Sequence, residues 1–441
     1  MELSDLRQKK TLLLGLGVNN RGLAAYLKQK GIDFDVIEKW RDHSELTEKV
    51  KSYDLVFRSP GLPYNSEPIQ AALRKGAAVS SQTKLFFDLC PAKIIGVTGT
   101  KGKGTTATLI HNILAAAGLR AYLAGNIGRD PFEFIDELVR DDWVVLELSS
   151  FQLQDLHKSP HVAVVLKTTS EHLDHHRNRQ EYVEAKINIL AHQASGDFAV
   201  LNYDQETTRS FVDLTLAQIW WNSTENRVSP GSYVAGGEIF IDGSAGGNSI
   251  MKTSEVGLIG SFNLENITAA AAASYLAGAT DLRTIKRAIA DFKGLPHRLE
   301  FVREVAGVKF YNDSFSTIPE AAIAALGAFF GPVVLIAGGS AKGSNFEKLG
   351  EAVAGSKVKA LLAVGAEGAA IVKASRKAGY AGKIYDSGLG DMKKIVSKAN
   401  EIAALGDIVL LSPAAASFDM FADYKQRGEL FKKYVNLLSV F

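Results

Sequence analysis

The run Gly96-Val97-Thr98-Gly99-Thr100-Lys101-Gly102-Lys103-Gly104-Thr105-Thr106 has the residue types that cradle phosphate. Glycines let backbone N–H groups approach phosphate oxygens, and a helix N-terminus adds favourable partial charge. Lys103 would reach the outer phosphates as a point charge. An ordinary strand-to-helix turn is the bland alternative, but the lysine and both flanks fit the cradle. The run departs from the general phosphate-loop pattern at two places. Val97 stands where that pattern has its first glycine, and Gly104 stands where it has a magnesium-binding Ser or Thr.

Two further sites bear on cations. Glu147 follows Trp143-Val144-Val145-Leu146, so it stands at the end of a buried strand pattern. Magnesium takes one or two carboxylates plus phosphate oxygens, which suits such a carboxylate near a phosphate loop. The alternative is a helix-capping or solvated glutamate. Glu171 and His172 follow a second strand pattern, His161 to Leu166, and form another candidate cation site. His175 and His176 come directly after, so a structural histidine reads equally well from the residues alone.

Three α/β blocks would position these groups. In the first, to about residue 91, the patterns are strand Thr11 to Leu16, helix Arg21 to Lys30, strand Phe34 to Ile37 and strand Asp54 to Phe57. Gly15, Gly17 and Gly22 lie in the first turn, but the third glycine is misplaced for a dinucleotide fingerprint. Glu38 ends the second strand, where an acidic residue often meets a ribose. A nucleotide-type ligand and a plain βαβ turn both remain open. Ser59-Pro60-Gly61-Leu62-Pro63 forms a rigid loop. The second block, 92–295, opens with the phosphate loop, followed by a helix pattern from Thr105 to Ala117. It continues with strands at Trp143 to Leu146, His161 to Leu166, Ala199 to Asn202 and Ile219 to Trp221. The third, 296–441, has strands Val333 to Ala337, Leu361 to Val364 and Ile408 to Leu411. Ligands of parallel α/β sheets sit at the carboxyl ends of strands, where Glu147 and the Glu171/His172 pair both fall.

Bulk properties narrow the class. A chain of 441 residues exceeds one core and suggests about three domains. With 46% hydrophobic and 22% charged residues it has a globular composition. A net charge of +2 argues against a general nucleic-acid binder, so anionic ligands would be held by local cations. The single cysteine, Cys90, precludes an intrachain disulfide and suits a reducing cytoplasm. No apolar run approaches the roughly 18 residues of a membrane helix, and the acidic N-terminus lacks a signal-peptide pattern.

The order of motifs carries a resemblance. The glycine-rich loop is followed by Gly125-Asn126-Ile127-Gly128, Glu147 to Leu153, Ser170 to Asp174 and Glu184-Ala185-Lys186. Then come Asn263 to Asn266, Gly294 to Glu300, Asn312-Asp313-Ser314 and Ser412 to Asp419. Along essentially its whole length the chain resembles the Mur ligase family, most closely the branch that adds glutamate to UDP-N-acetylmuramoyl-L-alanine. The segments Glu147 to Leu153 and Leu411 to Gly428 are the most specific.

The resemblance implies an α/β fold of three domains: Rossmann-like 1–91 for UDP, a phosphate-loop parallel sheet at 92–295 for ATP, and Rossmann-like 296–441 for the amino acid. It implies an ATP-dependent ligase of cell-wall precursor synthesis that works through an acyl phosphate, with D-glutamate as the added residue. ATP and two magnesium ions would be required. The chain would be a cytoplasmic monomer with neither nucleic-acid partner nor membrane insertion. Gly99, Thr100, Lys101, Gly102, Lys103, Gly104 and Thr105 would hold the phosphates, and Asn263, Arg298 and Asp313 the rest of the nucleotide. Thr105, Glu147, His172 and Lys186 would hold the metals, Lys186 as a carbamate. The residues alone would make Lys186 a surface helix lysine. Lys103, Glu147, His172, Lys186 and Lys342 would carry the catalysis. Leu16, Gly17, Glu38 and Ser59 would hold the UDP end, and Asn126, Ser149 and Gln152 the muramoyl-alanine arm. Thr317, Lys342, Ser417 and Tyr424 would receive the amino acid. His297, beside Arg298, would be a hinge or a ligand. Three replacements depart from the family pattern: Gly104 for the magnesium-binding Ser or Thr, whose place Thr105 or a water would take, Lys101 for an Asn, and Phe315 for a lysine near the acceptor pocket. Addition of L-glutamate or another acidic amino acid is therefore an alternative. A non-catalytic sugar-nucleotide binder and a dinucleotide oxidoreductase are more distant ones, opposed by Lys103.

Overall fold

The computed structural model describes residues 1–168, 178–243, 246–341, 343–386, 388 and 390–439. Three parallel-dominated sheets with flanking helices make it a mixed α/β protein. The first sheet comprises β1 (Thr11–Leu14), β2 (Asp35–Ile37), β3 (Leu55–Arg58) and β4 (Ala78–Ser80), in the order β2-β1-β3-β4 and parallel throughout. All residues of β1 and β3 are buried, which explains the apolar runs Leu12-Leu13-Leu14 and Leu55-Val56-Phe57 within them. Strand order reverses direction between β1 and β3, and in such sheets ligands bind at the carboxyl ends of the strands at that reversal.

The second sheet comprises β5 (Lys93–Thr98), β6 (Ala121–Gly125), β7 (Trp143–Glu147), β8 (Val162–Val165), β9 (Phe198–Asn202), β10 (Gln218–Ser223), β11 (Gly231–Ala235), β12 (Glu238–Asp242) and β13 (Asn248–Lys252). Its order is β13-β12-β11-β10-β9-β8-β5-β7-β6. Pairing is parallel from β6 through β11, and β12 and β13 are antiparallel additions at one edge. The third comprises β14 (Glu300–Val305), β15 (Val308–Asn312), β16 (Val333–Gly338), β17 (Val358–Val364), β18 (Lys383–Asp386) and β19 (Ile408–Leu411). Its order is β14-β15-β19-β16-β17-β18, and only β14 is antiparallel to its neighbour.

The chain divides into two compact units, residues 1–256 with 263–291 and residues 257–262 with 292–441. In the first, one apolar cluster runs from Leu13 and Phe57 through Phe86 and Phe134 to Val144 and Val165, so the first two sheets share a core. In the second, alternate residues of β16 feed two clusters. Val334 and Ile336 join Phe310 and Phe431, while Leu335 joins Leu349 and Leu410. That alternation places helices on both faces of the sheet. No described helix is long and apolar enough to cross a membrane.

Candidate active site

In the first unit, β5 runs directly into the glycine-rich loop and the loop into the helix Lys103–Ala116. Gly102 is the N-cap of this helix, with φ of +86°, and Lys103 is its first residue. Only glycine suits Gly102 on two counts. The φ is left-handed, and a Cβ there would lie 2.0 Å from Asn266 Oδ1. Asn266 accepts from Thr106 Oγ1 at 3.3 Å and donates to Asn263 Oδ1 at 2.9 Å. The helix Phe262–Leu276 thus braces the loop through a side chain for which the sequence suggested no role. Its only signal was the i, i+3 spacing from Asn263, which puts both amides on one helix face. Lys103 Nζ donates to Gly99 O at 3.2 Å and to Thr100 O at 2.9 Å, which keeps its charge at the loop.

Glu147 ends β7, in register with Val97 of β5. It is only 6% exposed. Neither a hydrogen bond nor an ion pair reaches its carboxylate among the described residues. It is therefore neither a helix cap nor a solvated surface group. A buried carboxylate is costly unless compensated, and a divalent cation would compensate it. Lys186, on the helix Arg179–Ile187, is 1% exposed, so the surface-lysine reading is overturned. Its Nζ donates to Gly99 O at 2.9 Å and Thr98 Oγ1 at 3.3 Å, and lies 4.6 Å from the centroid of the Tyr182 ring. The Tyr182 hydroxyl in turn meets Thr100 Oγ1 at 3.2 Å. The loop, Glu147 and Lys186 therefore converge at the carboxyl ends of β5 and β7. Lys101 is exposed, while Gly104 and Thr105 are buried in the first helical turn. These residues fit a nucleotide and magnesium: an amide-rich cradle, two lysines and an uncompensated carboxylate. Glu171, His172 and Lys342 lie outside the described residues.

The residues expected at the muramoyl-alanine arm meet one another. Gln152 Oε1 accepts from Asn126 Nδ2 at 3.1 Å, Ser149 Oγ at 3.0 Å and Ser149 N at 2.9 Å, the last within the capping box of the helix Ser150–Leu153. Those expected at the UDP end lie together at the carboxyl edge of the first sheet. Leu16 and Gly17 follow β1, with Gly17 capping the helix Val18–Gln29. Glu38 follows β2 and is exposed, and Ser59 follows β3 and donates its N–H to Leu14 O at 3.2 Å. Fully buried Arg58, which the sequence did not single out, lies between these two groups.

In the second unit, Asp313 follows β15 and is 5% exposed. It accepts hydrogen bonds from Leu299 N, Ser316 Oγ and Ser412 Oγ. Burial outweighs those bonds and pushes its carboxyl up to about 6. Phe315 stacks under Arg298, whose guanidinium carbon is 3.8 Å from the ring centroid, and meets Tyr424 edge-on at 5.0 Å. The ring thus packs a nucleotide-site candidate and an acceptor-site candidate together. Arg427 is 1% exposed and joins the loops after β15 and β19. Its Nε and Nη2 donate to Ser314 Oγ and O, and its Nη1 to Ala415 O and Ala416 O. Burial holds it down to about 10. Ser417 is buried and Thr317 half-buried on the same two loops. His297, at φ of +64°, is buried against Asn312 Nδ2 at 2.9 Å, and burial lowers its pKa.

Comparison with known proteins matches this arrangement. Residues 97–274 match the Mur ligase middle domain, and residues 297–415 match the Mur ligase glutamate ligase domain. The chain is 41% identical to the UDP-N-acetylmuramoylalanine–D-glutamate ligase of Symbiobacterium thermophilum, over 98% of this chain and 99% of that one. It is 38% identical to the enzyme of the same name from Acetivibrio thermocellus, over 98% and 97%. The crystal structure of the UDP-N-acetylmuramate–alanine ligase of Thermotoga maritima shares the fold, with a TM-score of 0.57 at 16% identity over 97% and 99% of the two chains. The phosphate loop braced by Asn266, the carboxylate at the end of β7 and the buried Lys186 all fall within the matched middle domain, and Asp313 within the matched glutamate ligase domain; the chain belongs to the Mur ligase family.

Proposed function

We propose that this chain joins D-glutamate to UDP-N-acetylmuramoyl-L-alanine, converting ATP to ADP and phosphate, in peptidoglycan precursor synthesis. The observation that carries this reading is the end-to-end likeness to ligases named for that reaction. The substrate carboxylate attacks the γ-phosphorus of ATP and ADP leaves, giving an acyl phosphate. The amine of glutamate then attacks the acyl carbon, and the tetrahedral adduct collapses with loss of phosphate. Lys103 and the N–H groups of its loop stabilise charge on the transferring phosphoryl group. Glu147 would hold a magnesium ion, with Thr105 or water in place of the hydroxyl that Gly104 lacks. Lys186, as a carbamate, and His172 would hold a second ion. Bound magnesium supplies charge neutralisation among the crowded anions. Asn126, Ser149 and Gln152 orient the muramoyl-alanine arm, while Leu16, Gly17, Glu38 and Ser59 anchor the UDP end. Asn263, Arg298 and Asp313 take the rest of the nucleotide. Thr317, Lys342, Ser417 and Tyr424 receive glutamate.

The division of labour follows three blocks. Residues 1–91 form a Rossmann-like UDP domain, 92–295 the ATP domain, and 296–441 a Rossmann-like amino-acid domain, in a monomer acting in the cytoplasm. One observation favours a second reading, addition of L-glutamate or another acidic amino acid. The ring of Phe315 is committed to Arg298 and Tyr424 and donates no hydrogen bond to a carboxylate. Phosphate release in the presence of UDP-N-acetylmuramoyl-L-alanine and enantiomerically pure glutamate separates the two. Release that needs the D-isomer supports the first reading, and faster release with the L-isomer replaces it with the second.

A further inference from the structure

We propose that Arg58 is a positioning residue for the ligation: its buried guanidinium fixes the loop that anchors the UDP end against the turn that orients the muramoyl-alanine arm, and so sets the reach from anchor to reacting carboxylate. The proposal rests on the function given above. Arg58 is the last residue of β3 and is 1% exposed. Its Nη1 donates to Leu62 O at 3.4 Å, inside the loop that begins at Ser59. Its Nη2 donates to Phe151 O at 2.8 Å, between the Ser149 and Gln152 side chains that bond each other. The same nitrogen pairs with Asp155, whose side chain is 3% exposed, and Lys84 Nζ stands 3.5 Å from the other Asp155 oxygen. One rigid fork therefore grips the loop after β3 and the short helix after β7, elements of two sheets that share a core.

Stability alone does not account for the pair. Among the described residues Arg58 Nε has no hydrogen-bond partner, so the charge is buried with one donor uncompensated. Apolar side chains of similar volume commonly replace such a pair with no loss of stability. Directional bonds add what apolar packing does not, a fixed distance between the loop and the helix. Binding energy gained at a remote anchor accelerates a reaction only when the connection to the reacting atoms is rigid, and a 1 Å misplacement can lower turnover about 100-fold.

The test uses the full chain and two substrates, UDP-N-acetylmuramoyl-L-alanine and the same muramoyl-L-alanine without the uridine diphosphate. The double variant Arg58→Met with Asp155→Leu should keep the parent's melting temperature, affinity for UDP alone and KM for ATP. Its kcat on the full substrate should fall roughly 10-fold or more, and turnover of the shortened substrate, which has no remote anchor to exploit, should stay level. Arg58→Lys, which keeps charge but loses the fork, should fall between parent and double variant, and it carries the same comparison if the double variant does not fold. An unchanged kcat on the full substrate, or equal losses on both substrates, overturns the positioning role while leaving the function intact. A parent inert on the full substrate overturns both.

Discussion

Asp313 joins the chemistry of the site to the stability of the fold. Its carboxyl, held near 6 by burial, exceeds the ordinary 3.8. Between those values the folded chain keeps a proton that the unfolded chain has released, so stability falls as pH rises through that window and levels off above it. The difference amounts to roughly 3 kcal/mol. Urea unfolding across this window should show that decline in the parent and not in Asp313→Asn. A parallel slope in both would place the proton elsewhere. If the ionised carboxylate accepts from ribose, nucleotide affinity should weaken as pH drops below about 6, again only in the parent. Motif and strand pattern singled out Lys103 and Glu147 as candidates, because phosphate and magnesium chemistry constrains residue type and spacing, whereas Asp313 came only from the family resemblance. The burial of Lys186 and the grips of Arg58 and Arg427 were not legible. A charged side chain in a short segment reads as solvated until the loops that surround it are assembled, and that assembly depends on contacts remote in sequence.

At the level of elements, strands with both faces covered were visible as apolar runs, as in β16 and β19. The helix expected from Thr105 begins at Lys103, because the capping geometry of Gly102 decides the start. The β11-β12-β13 meander and the β14-β15 hairpin escaped the sequence reading, since their half-exposed faces mix polar and apolar residues. The helix Tyr424–Asn436 carries a close approach of its own. A Cβ on Gly428 would lie 2.2 Å from His297 Nδ1 and 3.0 Å from Asn312 Nδ2. His297 is buried and bonded to Asn312, so neither side chain can yield cheaply. Gly428→Ala should destabilise the fold by about 1–3 kcal/mol, the usual consequence of overpacking, despite alanine's better helix propensity. Chemical denaturation measures this, and a neutral or stabilising result would show that the His297 ring moves freely.

For the whole molecule, periodicity separated three sheets but could not foresee that the first two share one apolar cluster, since a core common to two sheets depends on packing between remote segments. The central claim is that one oxygen of the muramoyl-alanine carboxylate leaves on phosphate when D-glutamate is joined. Carboxyl-18O-labelled UDP-N-acetylmuramoyl-L-alanine, incubated with the chain, ATP, magnesium and D-glutamate, tests it by mass spectrometry. The account predicts one labelled oxygen in the released phosphate and one in the amide of a product that has gained a glutamate residue. Unlabelled phosphate, or phosphate release without the glutamate adduct, would contradict it.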